Sequence, residues 1–345
     1  LMRRARLRGE GTHFVHAISR VVDRQFILRD REKEHFVNLM LKLSNFSGIR
    51  VVGWCVLDNH FHLLLEQPDL EERVPLPPDE VFRRLSFIYS SERIKEIKTQ
   101  FQAASRLGPD QEARFLEPYQ KRMGDVSVFM KELKQRFSQW YNRRKDRRGT
   151  LWEERFKSVL VEGSEEALMT VAAYIDLNPV RAGLVDRPED YRWCSYARAV
   201  AGDADARAGL GRILDFSSRS VDDFENRWEE TSRLYRLWLF SEGREVTPDP
   251  EMGIRGRKGF KDEVIEREEQ REGRLTRAEL LRCRVRYFTE GAVLGSAAFV
   301  ERVFEQNREH FGPRRKSGAR RMRGGDWGDL RVARDLRVAQ EAIHT

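Results

Sequence analysis

Apolar and polar positions alternate loosely over residues 13–20, which predicts a first β-strand. Over residues 30–45 the period changes. Phe36, Leu39, Met40 and Leu43 recur at i, i+3, i+4 and i+7, the stripe of an amphipathic helix, with Gly48 placed to stop it. Residues 49–57 are apolar and β-branched, Asp58-Asn59 is a turn signal, and residues 60–66 resume as a strand, so the pattern predicts a hairpin. Prolines 75, 77 and 78 break the chain before helical stretches at 79–105 and 111–145, which Pro109 separates. The second stretch carries a core stripe of Phe129, Leu133, Phe137 and Trp140. A strand follows at 156–161. A helix is then predicted from Ser164, a good N-cap with Glu165 and Glu166 in its first turn, to about Asn178, where Pro179 disfavours further α geometry.

The order β-α-β-β-α-α-β-α predicts an α+β fold, a ferredoxin-like antiparallel sheet with helices packed on one face, over residues 1–200. Residues 201–212 read as an Ala/Gly/Asp-rich linker. A mainly helical C-terminal extension is expected over 213–345, with helices at 221–241, 276–287 and 296–310. The last two suggest a helix-turn-helix or an ordinary helical hairpin. A basic tail follows, with six Lys or Arg among residues 314–323.

Charge adds a partner class to this picture. The chain of 345 residues holds 64 Lys+Arg against 56 Asp+Glu, a net +8, which favours a polyanion and nucleic acid first. Its three cysteines are far apart and form neither a disulfide framework nor a zinc pattern, which fits a reducing cytoplasm. No apolar run is long enough to cross a bilayer, and the basic N-terminus leads into no apolar signal core, so no membrane partner is expected.

Two stretches carry candidate chemistry. In Asp58-Asn59-His60-Phe61-His62-Leu63-Leu64-Leu65-Glu66, strand geometry sends His60 and His62 to one face and Phe61, Leu63 and Leu65 to the other. Two imidazoles on one face can share a metal ion. Taken alone, the pattern fits a half-buried strand with inert histidines at least as well. His13 and His16, three residues apart, fall on opposite faces and receive no metal role. In the second stretch, Tyr174 and Asn178 lie four apart on a helix, one above the other, beside a buried stripe of Leu168, Val171, Ala172 and Ile175. By spacing alone, a packed and capped helix rim explains them better.

Asn59-His60-Phe61-His62-Leu63-Leu64 is similar to the His-hydrophobe-His motif of single-tyrosine DNA nucleases and transposases. Residues 149–158, Gly-Thr-Leu-Trp-Glu-Glu-Arg-Phe-Lys-Ser, and 174–183, Tyr-Ile-Asp-Leu-Asn-Pro-Val-Arg-Ala-Gly, resemble the two further blocks of REP-associated tyrosine transposases, in the same order and spacing. The resemblance covers roughly residues 10–200. It implies cleavage of single-stranded or hairpin (repetitive palindromic) DNA by Tyr174, leaving a 5′-phosphotyrosine and a free 3′-OH. It also implies a divalent metal, Mg²⁺ or Mn²⁺, held by His60, His62 and Asn178. Distant relatives carry glutamine where Asn178 stands. Tyr141 and Tyr191 are weaker nucleophile candidates, because the residues four further on are Lys145 and Ser195.

The basic turn Arg143, Arg144, Lys145, Arg147 and Arg148, followed by Trp152, Arg155 and Lys157, suits DNA binding: cations for phosphates and an aromatic for an unpaired base. Arg181, just past the helix, is a further phosphate candidate. The expected setting is a cytoplasmic, nucleoid-associated protein with room for a homodimer. Rival readings are a replication-initiator-type nickase, a domesticated DNA-binding protein that has lost catalysis, and a nonspecific RNA-binding protein. No Walker-type loop accompanies the first of these.

Overall fold

The computed structural model describes residues 9–71, 74–185, 188–201, 203–214, 291–321 and 328–334, with Tyr235, Trp238, Leu239, Gly243 and Leu336 as single positions. It is an α+β fold built on a seven-stranded sheet of order β2-β3-β1-β4-β5-β7-β6. The strands are β1 (His13–Arg20), β2 (Arg50–Val56), β3 (His60–Gln67), β4 (Lys157–Val161), β5 (Val293–Gly295), β6 (Arg320–Arg321) and β7 (Arg331–Ala333). The hairpin β2–β3 forms as the turn signal predicts. β1 lies between β3 and β4 and is antiparallel to both, while β5 joins β4 in parallel. The sheet is therefore mixed rather than purely antiparallel.

Helices cover both faces of the sheet, not one. The reason lies in β3, where His62 and Leu64 point one way and Phe61, Leu63 and Leu65 the other, and all five are buried. A strand that is apolar on both faces needs cover on both. Helix α1 (Asp30–Ser47) stacks Phe36 on Phe61 at 4.6 Å between ring centroids. Behind it lies α5 (Val126–Arg144), whose Phe137 meets Phe36 at 5.2 Å. The opposite face holds α6 (Glu165–Asp176), capped by Ser164 as predicted.

The two long helical stretches expected at 79–105 and 111–145 are each divided. Ser90 caps α3 (Ser91–Ser105) and separates it from α2 (Pro78–Leu85). Gly124, at φ 76°, and the Asp125 cap separate α4 (Pro109–Gln120) from α5. A side-chain cap and a glycine turn outweigh a continuous apolar period.

The segment read as a linker is mostly helix. After α7 (Asn178–Arg181) and α8 (Ser195–Val200), α9 (Ala204–Leu214) lies on β2, so close that a Cβ on Gly209 would stand 2.7 Å from the Val52 carbonyl oxygen. Further on, Ser296 caps α10 (Ala297–Gln306), the core of the helix expected at 296–310. Residues 293–295 before it are strand β5, not the turn of a helix-turn-helix. The expected helix at 276–287 lies outside the described residues, as does most of the one at 221–241. In the basic tail, Arg315 donates to the carbonyls of Ser317, Gly318 and Arg334, so this arginine serves the fold.

Candidate functional site

The turn that launches β3 is held from several sides. Lys33 of α1, almost fully buried, pairs with Asp58 at 2.6 Å and lies over the Trp193 ring at 4.3 Å. The Asp58 carbonyl accepts from Leu28 N and the Asn59 carbonyl from Val21 N, both at 2.9 Å. His60 and His62 then project from one face, as alternation predicts, with ring centroids 5.2 Å apart.

Pairing register brings two residues of β1 to the same face. Arg20 stands opposite His60 and Ile18 opposite His62, so His16, two residues back from Ile18, also faces this way. His16 Nε2 lies 3.0 Å from His62 Nδ1, with both rings buried and stacked at 5.2 Å. Sequence reasoning missed His16 and Arg20. Spacing within β1 alone says nothing about them, and the signal appears only once β1 is registered against β3.

Helix α6 closes the site from above. Tyr174, 3 % exposed, sets its ring edge-on against His62 at 5.6 Å and against His16 at 5.9 Å. Beyond the Leu177 cap, the short turn of α7 and Gly183 at φ 67° bring Arg181 back over it. The Arg181 guanidinium carbon lies 5.2 Å from the Tyr174 ring centroid, and its Nη1 donates to the Tyr174 carbonyl at 3.3 Å. Asn178 turns its amide nitrogen back to the carbonyls of Tyr174 (2.8 Å) and Ile175 (3.3 Å). Carbonyls only accept, so these contacts fix which amide atom is nitrogen and turn Oδ1 away from them.

Electrostatics follow from burial. Desolvation pushes the His60 imidazole down to about 4, helped by Arg20 and opposed by Asp58. His62 is also held well below its ordinary value, first by desolvation and then by His60, His16, Arg20 and Arg181. Both rings are therefore neutral near pH 7, the state in which imidazole ligates metals. Burial raises the Tyr174 phenol above its ordinary value, while Arg181 and Arg20 pull the other way.

Two neutral imidazoles on one face are suited to a divalent ion. Among the described residues no group of three or more His, Cys, Asp or Glu side chains is placed to hold a metal ion, and His16 is a hydrogen-bond partner of His62. No hydrogen bond joins Asn178 to either histidine among the described residues.

The expected DNA-binding residues divide. Arg143, Arg144, Arg148 and Arg155 are exposed. Lys145 pairs with Glu32 at 3.4 Å, and Lys157 with Glu154 at 3.4 Å. Arg147 braces its own turn by donating to Asn142 Oδ1 and to the Thr150 carbonyl. Trp152, for which the sequence leaves base stacking and core packing about even, is buried. Its ring packs against Phe61, Phe137 and Phe36 at 5.4, 5.8 and 6.3 Å, and its Nε1 donates to the Lys134 carbonyl. One side of it lines a cavity of about 700 Å³ between α5 and residues 150–156.

No protein-family model matches the chain, and no curated protein matches it. Among solved structures it is similar to one described as "Structure of the REP associates tyrosine transposase bound to a REP hairpin". The two are 15% identical, the match covers 59% of this chain and 86% of the other, and the TM-score is 0.37, a distant likeness. Among the described residues no helix is long and apolar enough to cross a membrane.

Proposed function

We propose that this chain is a metal-dependent, single-tyrosine DNA nicking and joining enzyme that acts on single-stranded or hairpin DNA. One observation carries the reading. Tyr174 packs edge-on against His62, beside His60, with an arginine across its face, and two sequence blocks distant along the chain meet to make that arrangement. A divalent metal at His60, His62 and Asn178 would supply Lewis-acid polarisation of the scissile phosphate's non-bridging oxygens.

The chain's own groups do the rest. Tyr174 Oη attacks phosphorus as the bond to the 3′ oxygen breaks. The phenol proton leaves to solvent, and the departing 3′ oxygen takes one up. The products are a 5′-phosphotyrosine and a 3′-OH, and a second 3′-OH reverses the step to join strands. Arg181 and Arg20 offset the negative charge that develops on the phenol oxygen and the phosphate.

The burial of Tyr174 sets a condition: bound DNA must uncover the phenol before it can attack. The same burial favours a second reading, a DNA-binding protein that no longer cuts. Incubation of the full chain with hairpin DNA and Mn²⁺ or Mg²⁺ separates the two, and a REP hairpin, the ligand named for the distant neighbour, is a natural first substrate. The expected result is a covalent protein–DNA adduct for wild type and none for Tyr174→Phe. An adduct in the Tyr174→Phe variant would remove Tyr174 as the nucleophile. DNA retained without any adduct would favour the binding protein.

A further inference from the structure

We propose that Asn59 and His16 are positioning residues that make His60 and His62 present the same ring nitrogen, Nε2, to the site. The purpose of this device rests on the metal reading above, but its geometry does not.

The His60 tautomer is set from a backbone carbonyl. Asn59 Nδ2 lies 3.1 Å from the Arg24 carbonyl oxygen. A carbonyl only accepts, so the amide atom facing it is the nitrogen and the other is the oxygen. That oxygen lies 2.6 Å from His60 Nδ1. An amide oxygen also only accepts, so His60 Nδ1 carries the proton. A neutral imidazole has one N–H, which leaves the lone pair on Nε2.

The carbonyl that starts this chain is delivered by an unusual turn. Asp23 and Arg24 both take left-handed backbone geometry, at φ 55° and 54°, and neither is glycine. Consecutive positions of this kind cost free energy and persist only where the surroundings enforce them. Here the Arg24 N–H is tied to the Val21 carbonyl at 3.1 Å, and Val21 N to Asn59 O at 2.9 Å, so the turn is bound to the residue it orients.

His62 is handled from the other side. Its Nδ1 is occupied by His16 Nε2 at 3.0 Å, inside the protein. Whichever ring donates, Nδ1 is taken up by His16, which leaves Nε2 as the ring nitrogen of His62 that this contact does not engage. One ring is thus fixed through a strained loop and the other through a neighbouring strand. Outer partners of this kind orient metal-binding histidines and are commonly worth 10–100-fold in affinity.

The test uses the full chain. Long-range ¹H–¹⁵N spectra of the metal-free protein report which ring nitrogen of His60 is protonated, with His60→Gln giving the assignment. The expected form is Nδ1–H in wild type and in Asn59→Asp, which keeps an acceptor, shifting to Nε2–H in Asn59→Ala. Mn²⁺ titrated alone and read by calorimetry should bind about 10–100-fold more weakly to Asn59→Ala and to His16→Phe. A wild-type His60 protonated on Nε2 would overturn the inference. So would a tautomer unchanged in Asn59→Ala, or Mn²⁺ affinity equal to wild type in both variants, which would leave the metal reading intact. If the tautomer shifts as expected but no variant and no wild type binds Mn²⁺, the positioning role stands and the metal reading fails. Circular dichroism melts of each variant confirm that they are folded.

Discussion

At the scale of single residues, the site is a set of polar groups whose properties come from burial. Asp176 shows the consequence most directly. It is completely buried, two residues past the nucleophile candidate. Its Oδ1 accepts from Ser195 Oγ and Tyr196 N, and its Oδ2 from Tyr235 Oη at 2.7 Å. Desolvation still wins over these bonds and raises its carboxyl from an ordinary 3.8 to about 6. The folded state therefore holds the proton more tightly than the unfolded one. The stabilisation is complete below about pH 4 and is lost as pH rises through about 6, amounting to about 3 kcal/mol at most. Urea denaturation of metal-free protein between pH 4 and 7 should show this loss in wild type. Asp176→Asn, which has no proton to lose, should show a slope smaller by that amount. Equal slopes would mean that Asp176 does not titrate in this range.

At the scale of elements, fit decides more than pattern does. Gly209 illustrates the point within α9. By helix propensity alone, Gly209→Ala gains up to about 1 kcal/mol. The new Cβ would stand 2.7 Å from the Val52 carbonyl and 3.1 Å from its Cα, both backbone atoms of β2 that cannot swing aside. Overpacking of this kind costs about 1–3 kcal/mol, so the variant should be less stable than wild type in urea. The same contrast between pattern and fit explains what the sequence made legible. Strand β3, its hairpin and the Ser164-capped helix were readable because each depends on local periodicity or a local cap. His16, Arg20 and Asn59 were not, because their roles are created by register between β1 and β3 and by a left-handed turn at Asp23 and Arg24, neither of which a periodic pattern encodes. Trp152 was left undecided for a related reason. An indole next to cations looks the same in sequence whether it faces DNA or the Phe36–Phe61–Phe137 cluster, and only the packing of α1 against α5 chooses.

At the scale of the whole molecule, residues beyond 200 form either a separate unit or part of the body that carries the candidate site. The sheet argues for the second. β5 pairs with β4 through Leu160 opposite Val293 and Val161 opposite Leu294, and β7 and β6 extend the same sheet. Glu162, at the end of β4, caps α10 through Ser296. Behind the site, Tyr235 reaches the Asp176 carboxylate, and Arg212 of α9 pairs with Glu66, the last buried position of β3, at 2.8 Å. The elements that carry His62 and Tyr174 are thus both held by residues after 200. A chain ending at residue 214 would keep Arg212 but lose Tyr235 and expose the edge of β4, an unpaired row of N–H and C=O groups beside Leu160 and Val161. It should melt at a lower temperature than the full chain and self-associate, as read by light scattering. A Lys introduced at the newly exposed edge, as in Val159→Lys, should not restore the melting temperature, because Val159 is buried on the site face of the sheet. A monomeric 1–214 fragment that melts with the full chain would instead establish residues 1–214 as an independent domain.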